Sequence, residues 1–302
     1  MTSPSPSPLA STPAPAEPLP RDPALERLRA AFAQVPSVLV CYSGGTDSAL
    51  VLALAHRLLG ERAIGMTAVS PSLAPSERDE AIALAREIGA RHELVASNEI
   101  EEEGYAKNGA DRCFHCKSEL YRVAAKKQVE WGLACTMNGT NTDDLGDYRP
   151  GLDAARASNV KSPLVEAGLG KSEVRRIAAL LGLRVWDKPA AACLSSRLPY
   201  GTRVTRERLE QIASFEASLK ALSLRQVRVR WHGLPELDGQ SGGAFARVEV
   251  ATDELAAAFA QRDAIVAAGK RAGFVYVTLD LEGYRVGSHN AVLVGKSLRV
   301  LS

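Results

Sequence analysis

"CYSGGTDSAL", residues 41–50, follows the apolar run Ser37–Tyr42 ("SVLVCY") and leads into "DSALVLALAHRLLG", a stretch of helical length that closes on Gly60. The run before it is apolar on both faces, as strands inside parallel sheets are. A strand, a glycine pair and a helix N-terminus gather backbone N–H groups around a partial positive charge, which makes a nest suited to phosphate. Gly44 and Gly45 allow close approach, and Ser43, Thr46, Asp47 and Ser48 complete the loop. The Gly-x-x-x-x-Gly-Lys-Ser/Thr spacing of a P-loop is missing, lysine included, so chemistry other than γ-phosphoryl transfer is expected. The plainer reading is a strand-to-helix turn in which Asp47 merely caps the helix.

Outward from this loop, strand and helix patterns alternate. Ala24–Ala33 reads as a short amphipathic helix, "AIGMTAVS" (63–70) as a strand, "SERDEAIALAREIGA" (76–90) as a helix and "RHELVAS" (91–97) as a strand. A helix around Lys117–Gly132, the strand "LACTMNGT" (133–140) and the helix "GKSEVRRIAALLGL" (170–183) follow. This alternation predicts an α/β fold with a doubly wound, mostly parallel, Rossmann-like sheet. Ligands of such sheets sit at the carboxyl ends of the strands, where 43–48 lies. Past Gly201 the order changes to helix (Arg206–Leu222), strand (Gln226–Trp231), strand (Ala246–Val250), helix (Asp253–Ala268) and strand (Phe274–Leu279), a smaller α+β domain. The expected division is a Pro/Ser/Ala-rich disordered tail over 1–23, a nucleotide domain over 24–200 and a second domain over 201–302.

Whole-chain numbers narrow the function classes. With 302 residues, 46% of them hydrophobic, the chain can bury a substantial core. A net charge of +2, from 37 basic and 35 acidic residues, argues against a broad nucleic-acid or membrane surface. The first 20 residues hold seven of the 16 prolines and no Lys or Arg, which fits neither a signal nor a transit peptide. No apolar stretch nears the roughly 20 residues of a membrane span, and five cysteines make an awkward disulfide scaffold. A cytoplasmic protein is expected.

"SGGTDS" resembles the pyrophosphate-binding loop of the ATP pyrophosphatases, which cleave ATP between the α and β phosphates to form an adenylate. "NGTNTDDLGDYRPG" (138–151), "KPAAACLSSRLPYGTRVT" (188–205) and "LDLEGYRVGS" (279–288) narrow the likeness. In this order they resemble the LarE family, sulfur transferases of nickel-pincer cofactor assembly, over about residues 24–302. The resemblance implies ATP and Mg²⁺ as cofactors, a pyridinium dicarboxylate mononucleotide as small-molecule acceptor, and a homo-oligomer, trimeric or hexameric. Gly139, Thr140 and Asn141 then end a strand where an adenylate is read, and Asp143, Asp144 and Asp147 place carboxylates where Mg²⁺ would meet phosphate. Each of these aspartates has the alternative role of a turn or helix cap. Lys171 is suited to neutralising a phosphate, or is a solvated helix-end charge. A tRNA-thiolating relative and a nucleotide-binding sensor without turnover are the competing readings; the balanced charge speaks against the first.

Among the cysteines, Cys41 and Cys135 fall inside apolar strand patterns and read as core residues. Cys113 and Cys116 form Cys-x-x-Cys, whose sulfurs can converge on one metal, and Cys193 lies among small residues at a turn. Three thiolates leave one iron of a [4Fe–4S] cluster open to carry a sulfide. The resemblance allows two modes: cluster binding by Cys113, Cys116 and Cys193, or sacrifice of the sulfur of Cys193 alone. Zinc with His115 or water as fourth ligand, and a Cys113–Cys116 redox disulfide, are the alternatives.

In "QVRVRW", Arg228 and Arg230 stand two apart in a strand and share a face, as do Arg247 and Glu249 in "ARVEV"; Arg285 follows a strand end. The cluster reads as a pocket for a phosphate-bearing substrate, since the guanidinium fork suits phosphate, or as an exposed strand face of mixed charge. The resemblance assigns Arg228, Arg230, Glu249, Arg285 and, further, Glu216 to substrate binding.

Overall fold

The computed structural model describes residues 19–146, 150–189, 192–235 and 242–285. Most of the expected tail, and Asp147, lie outside the described residues. Four strands, β1 (Val38–Cys41), β2 (Ala63–Val69), β3 (Arg91–Ala96) and β4 (Cys135–Met137), pair in parallel in the order β3-β2-β1-β4. The α/β reading holds. Because side chains alternate along a strand, Val38 and Val40 face one side of the sheet and Leu39 and Cys41 the other.

Each side has its own core. Val38 and Val40 pack with α1 (Pro23–Ala30), α2 (Thr46–Leu59), α3 (Pro75–Ile88) and, later in the chain, Leu164, Val174 and Ile177. Leu39 and Cys41 pack with Met66, Tyr121, Val123 and Ala154. Val38, Leu39 and Val40 are fully buried, and each such side chain contributes roughly 1.5–3 kcal/mol relative to exposure. This is why "SVLVCY" shows no polar face.

The chain leaves β3 through α4 (Glu103–Ala106) and α5 (Arg112–Glu130), then passes β4, α6 (Pro150–Ala157), α7 (Pro163–Glu166) and α8 (Lys171–Leu180). The helix expected from Lys117 begins five residues earlier, behind Asp111, so the Cys-x-x-Cys motif lies in its first turns. After α9 (Arg206–Ala221), β5 (Val227–Gly233) pairs antiparallel with β6 (Ala244–Val250), which pairs in parallel with β7 (Tyr276–Leu279). The helix expected over Asp253–Ala268 is divided at Gln261 into α10 (Leu255–Ala260) and α11 (Arg262–Arg271). The core of this second sheet also takes in Tyr105, Leu194 and Leu198. Among the described residues no helix is long and apolar enough to cross a membrane.

Candidate active site

The sheet order places β2 and β3 on one side of β1 and β4 on the other. Reversal of direction at β1 opens a crevice beyond the carboxyl ends of β1 and β4, and two of the quoted motifs meet there. A Cβ added to Gly139 would stand 2.6 Å from the Ser48 nitrogen, so the turn after β4 touches the start of α2. Only glycine permits that approach.

The 43–48 loop is held from within. The Ser43 N–H donates to Ser48 Oγ at 3.1 Å, the two hydroxyls lie 3.1 Å apart, and Ser48 Oγ donates to the Gly45 carbonyl at 3.2 Å. Gly44 has φ +74°, and a Cβ there would meet the Ala81 Cβ at 2.8 Å; this glycine serves the fold. Gly45 is different. It caps α2 without a side-chain hydrogen bond, and a Cβ there would meet only Ser43 Oγ at 3.5 Å. The first-turn N–H groups of α2 lack intrahelical partners, and no side chain of this cap takes them up. The Thr46 hydroxyl donates to the Val185 carbonyl at 2.5 Å, leaving its N–H as its group for a ligand.

Asp47 is half-buried, and its Oδ1 is enclosed without a hydrogen-bond partner. Burial pushes its carboxyl above the usual range; Lys171 and Asn141 oppose this and Asp144 adds to it. Asp143 accepts from the Lys171 N–H at 2.9 Å and so caps α8. Asn141 accepts from the Asp143 and Asp144 N–H groups at 3.0 and 3.3 Å, while its own N–H donates to Asp144 Oδ2 at 3.1 Å. The capping alternative thus describes Asp143. The orphaned Asp47 oxygen, with Asp144 within electrostatic reach, is the donor set that suits a hard divalent cation.

Cys113 and Cys193 are exposed and Cys116 is half-buried. Cys116 packs on the same core as Leu194, the neighbour of Cys193, and burial, with Cys193 nearby, pushes its thiol up to about 12. Among the described residues no three Cys, His, Asp or Glu side chains are grouped to hold one metal ion. The His115 ring lies against Gly104 of α4, and its Nε2 stands 3.3 Å from Asp111 Oδ2. Cys113 and Cys116 are both free thiols. Cys41 is buried as expected, and Cys135, half-buried, donates to the Ser37 carbonyl.

On the second sheet, Arg228 lies opposite Glu249 and Arg230 opposite Arg247. Arg230 donates to Glu249 at 2.8 Å and to the Ser196 carbonyl at 3.0 Å. Glu216 receives both prongs of Arg197 at 2.8 and 3.1 Å and the Val229 N–H at 3.0 Å. Arg228 hydrogen-bonds to no carboxylate among the described residues. It donates to the Val227 carbonyl at 2.8 Å and lies over the Tyr284 ring, and burial, then Arg197, hold its guanidinium below the usual range. Arg285 is exposed and pairs with Glu282.

Two residues that the sequence reading passed over hold the Cys193 turn. Arg197 donates to the carbonyls of Ala192 and Cys193 at 2.6 and 3.0 Å. Arg112 donates to the Ser195 carbonyl at 2.9 Å. Arginines near the cysteines in both motifs were the available signal; the Ser195 partner of Arg112 lies far away in sequence, whereas Arg197 holds carbonyls four and five positions before it.

Fold and loop define an α/β protein with a strand–glycine–helix loop at its topological switch point. No protein-family model matches the chain. It is 33% identical over 272 residues, 90% of its length and 95% of the relative's, to the pyridinium-3,5-bisthiocarboxylic acid mononucleotide synthase of Lactiplantibacillus plantarum. An uncharacterised protein of Synechocystis is 44% identical over 89% of this chain and 97% of its own. Another, from Methanocaldococcus jannaschii, is 27% identical over 82% and 90%. The chain belongs to the LarE family, that of the synthase.

Proposed function

We propose that the protein is an ATP-dependent sulfur transferase that adenylates a carboxylate of a pyridinium dicarboxylate mononucleotide, releases pyrophosphate and replaces AMP by sulfur to leave a thiocarboxylate. The observation that carries this reading is the uncapped, serine-braced loop 43–48, which faces the turn 139–141 at the switch point and has the unpartnered Asp47 oxygen beside it. Residues 24–200 serve nucleotide and sulfur, and 201–302 the acceptor. The α2 N–H groups take the departing pyrophosphate, with Lys171 near it, and donors aimed at developing charge commonly contribute 10²–10³-fold in rate. Asp47 and Asp144 would hold Mg²⁺, which when bound supplies charge neutralisation on the phosphates. Arg228 takes the acceptor's phosphate.

Cys113, Cys116 and Cys193 are the residues that would hold a [4Fe–4S] cluster. A cluster binds each thiolate on a different iron and so suits three thiols that share one neighbourhood without forming a single-ion group. The acceptor carboxylate, activated as the adenylate, loses AMP as the carbon–sulfur bond forms. The test is formation of AMP and pyrophosphate on mixing ATP with the pyridinium dicarboxylate mononucleotide under anaerobic conditions; ATP turnover independent of that acceptor would sink the reading.

Two outcomes refine it. Gly45→Val is expected to fold with only a small loss of melting temperature, since valine is a poorer N-cap than glycine, and to bind no ATP by calorimetry, because a ligand on the α2 N–H groups would meet its side chain. Gly44→Ala should instead lose several degrees of stability, since a left-handed residue costs about 1–2 kcal/mol before any clash. Arg228→Ala is expected to raise the acceptor KM about 10- to 150-fold, the worth of roughly 1.5–3 kcal/mol for a charged hydrogen bond, with ATP affinity unchanged. Equal loss of both affinities would refute a separate acceptor pocket.

A further inference from the structure

Arg112 is 5% exposed. Buried cations are ordinarily paired with acids, yet among the described residues no carboxylate pairs with this one. Its Nη1 donates instead to the Asn108 side-chain oxygen and to the Ser195 carbonyl. The first partner ties α5 to the segment after Cys193, because Asn108 Nδ2 donates to the Pro199 carbonyl at 2.8 Å and the Gly201 N–H donates to the Asn108 carbonyl at 3.0 Å. The second partner is itself anchored: Ser195 Oγ hydrogen-bonds to the Tyr105 hydroxyl at 2.5 Å, and Tyr105 to Ser72. The Leu194 N–H donates to the Ser72 carbonyl at 2.9 Å. Arg112 is covalently next to Cys113 and hydrogen-bonded two residues from Cys193. The titratable groups within electrostatic reach of it are Cys193, Cys113, Tyr105 and Tyr200.

We propose that Arg112 is the positioning residue of the sulfur site: it sets the spacing between the Cys113–Cys116 pair and Cys193, and it supplies the buried positive charge that an anionic sulfur species there requires. This rests on the sulfur-transferase reading for its chemistry and on geometry alone for the spacing. Arg197 holds the same turn, but its charge is neutralised by Glu216. Among the described residues, Arg112 is the guanidinium at this turn that lacks an acid.

The experiment uses the full chain in two preparations, iron-free for the thiol readout and anaerobically purified with its iron for the turnover readout. Dibromobimane, which becomes fluorescent on bridging two thiols, is applied with peptide mapping to measure bridging of Cys193 to Cys113 or Cys116. Separately, AMP and thiocarboxylate are counted with ATP and the pyridinium dicarboxylate mononucleotide. Arg112→Gln, which keeps one donor and drops the charge, is expected to cut bridging at least fivefold. The same variant should cut thiocarboxylate per AMP at least tenfold and keep most AMP formation, since Arg112 makes no hydrogen bond to the 43–48 loop among the described residues. Arg112→Lys should recover part of both. A general loss of structure would lower AMP formation in step with thiocarboxylate and leave their ratio alone, which overturns the proposal, as would bridging equal to the native chain's. Arg112-dependent bridging in a chain that forms no AMP would keep the spacing role and sink the sulfur-transferase reading.

Discussion

Asp47→Asn is expected to lose AMP formation by about 10²–10³-fold, the scale for removal of one group that stabilises transition-state charge, while making the folded chain more stable. The second half of that expectation comes from the orphaned Oδ1. A buried polar atom without a partner costs about 1–3 kcal/mol, and the amide lowers the cost by removing the charge. In EDTA at neutral pH the melting temperature should rise by a few degrees, since about 1 kcal/mol shifts a domain of roughly 150–250 residues by roughly 2–4 °C and a longer chain by less. The pH dependence has a definite sign. Folding raises the Asp47 pKa above its unfolded value, so the proton is held more tightly in the folded state. The native chain's deficit against Asp47→Asn is therefore full above the folded pKa and closes as pH falls below the unfolded one. Melting curves of both proteins across that range are the check, and a variant less stable than the native chain at neutral pH would show that Asp47 serves the fold.

The second large effect belongs to the cysteines. Alanine at Cys113, Cys116 or Cys193 is expected to remove iron from anaerobically purified protein and to end repeated turnover, whereas alanine at Cys41 or Cys135 should do neither. Those two lie in strands β1 and β4. The sacrificial mode predicts otherwise: only Cys193 matters, one turnover inactivates the chain, and the used protein is lighter by one H₂S. Mass spectrometry after reaction, together with iron and sulfide analysis, separates the two. Intact mass, no iron and a fully active Cys193→Ala variant would sink both.

Much of this site is local, and local features were legible. The strand–glycine–helix nest at 43–48 needs only neighbouring residues, and a strand apolar on both faces announces a sheet covered on both sides. Asp111 in front of "RCFHC" was a missed local cue, since a helix begins behind it and carries the Cys-x-x-Cys pair on its first turns. The aspartates of 143–147 show a different failure. Their residue type fits a metal and a cap equally well, and only the position of α8 against Asp143 decided which role that residue has.

The sequence by itself determined the α/β class, the parallel sheet around "SVLVCY" and the strand–glycine–helix loop at 43–48, because hydrophobic period, turn chemistry and residue type act within a few positions. Tertiary structure alone decided which arginines are available. Arg230 and Arg197 are spent on Glu249 and Glu216, Arg112 holds Ser195 across 83 positions, and Arg228 hydrogen-bonds to no acid among the described residues. A guanidinium carries the same charge and donors wherever it stands. Its role is set by the acceptors that folding brings to it, and these come from segments whose separation along the chain has no imprint on the local pattern.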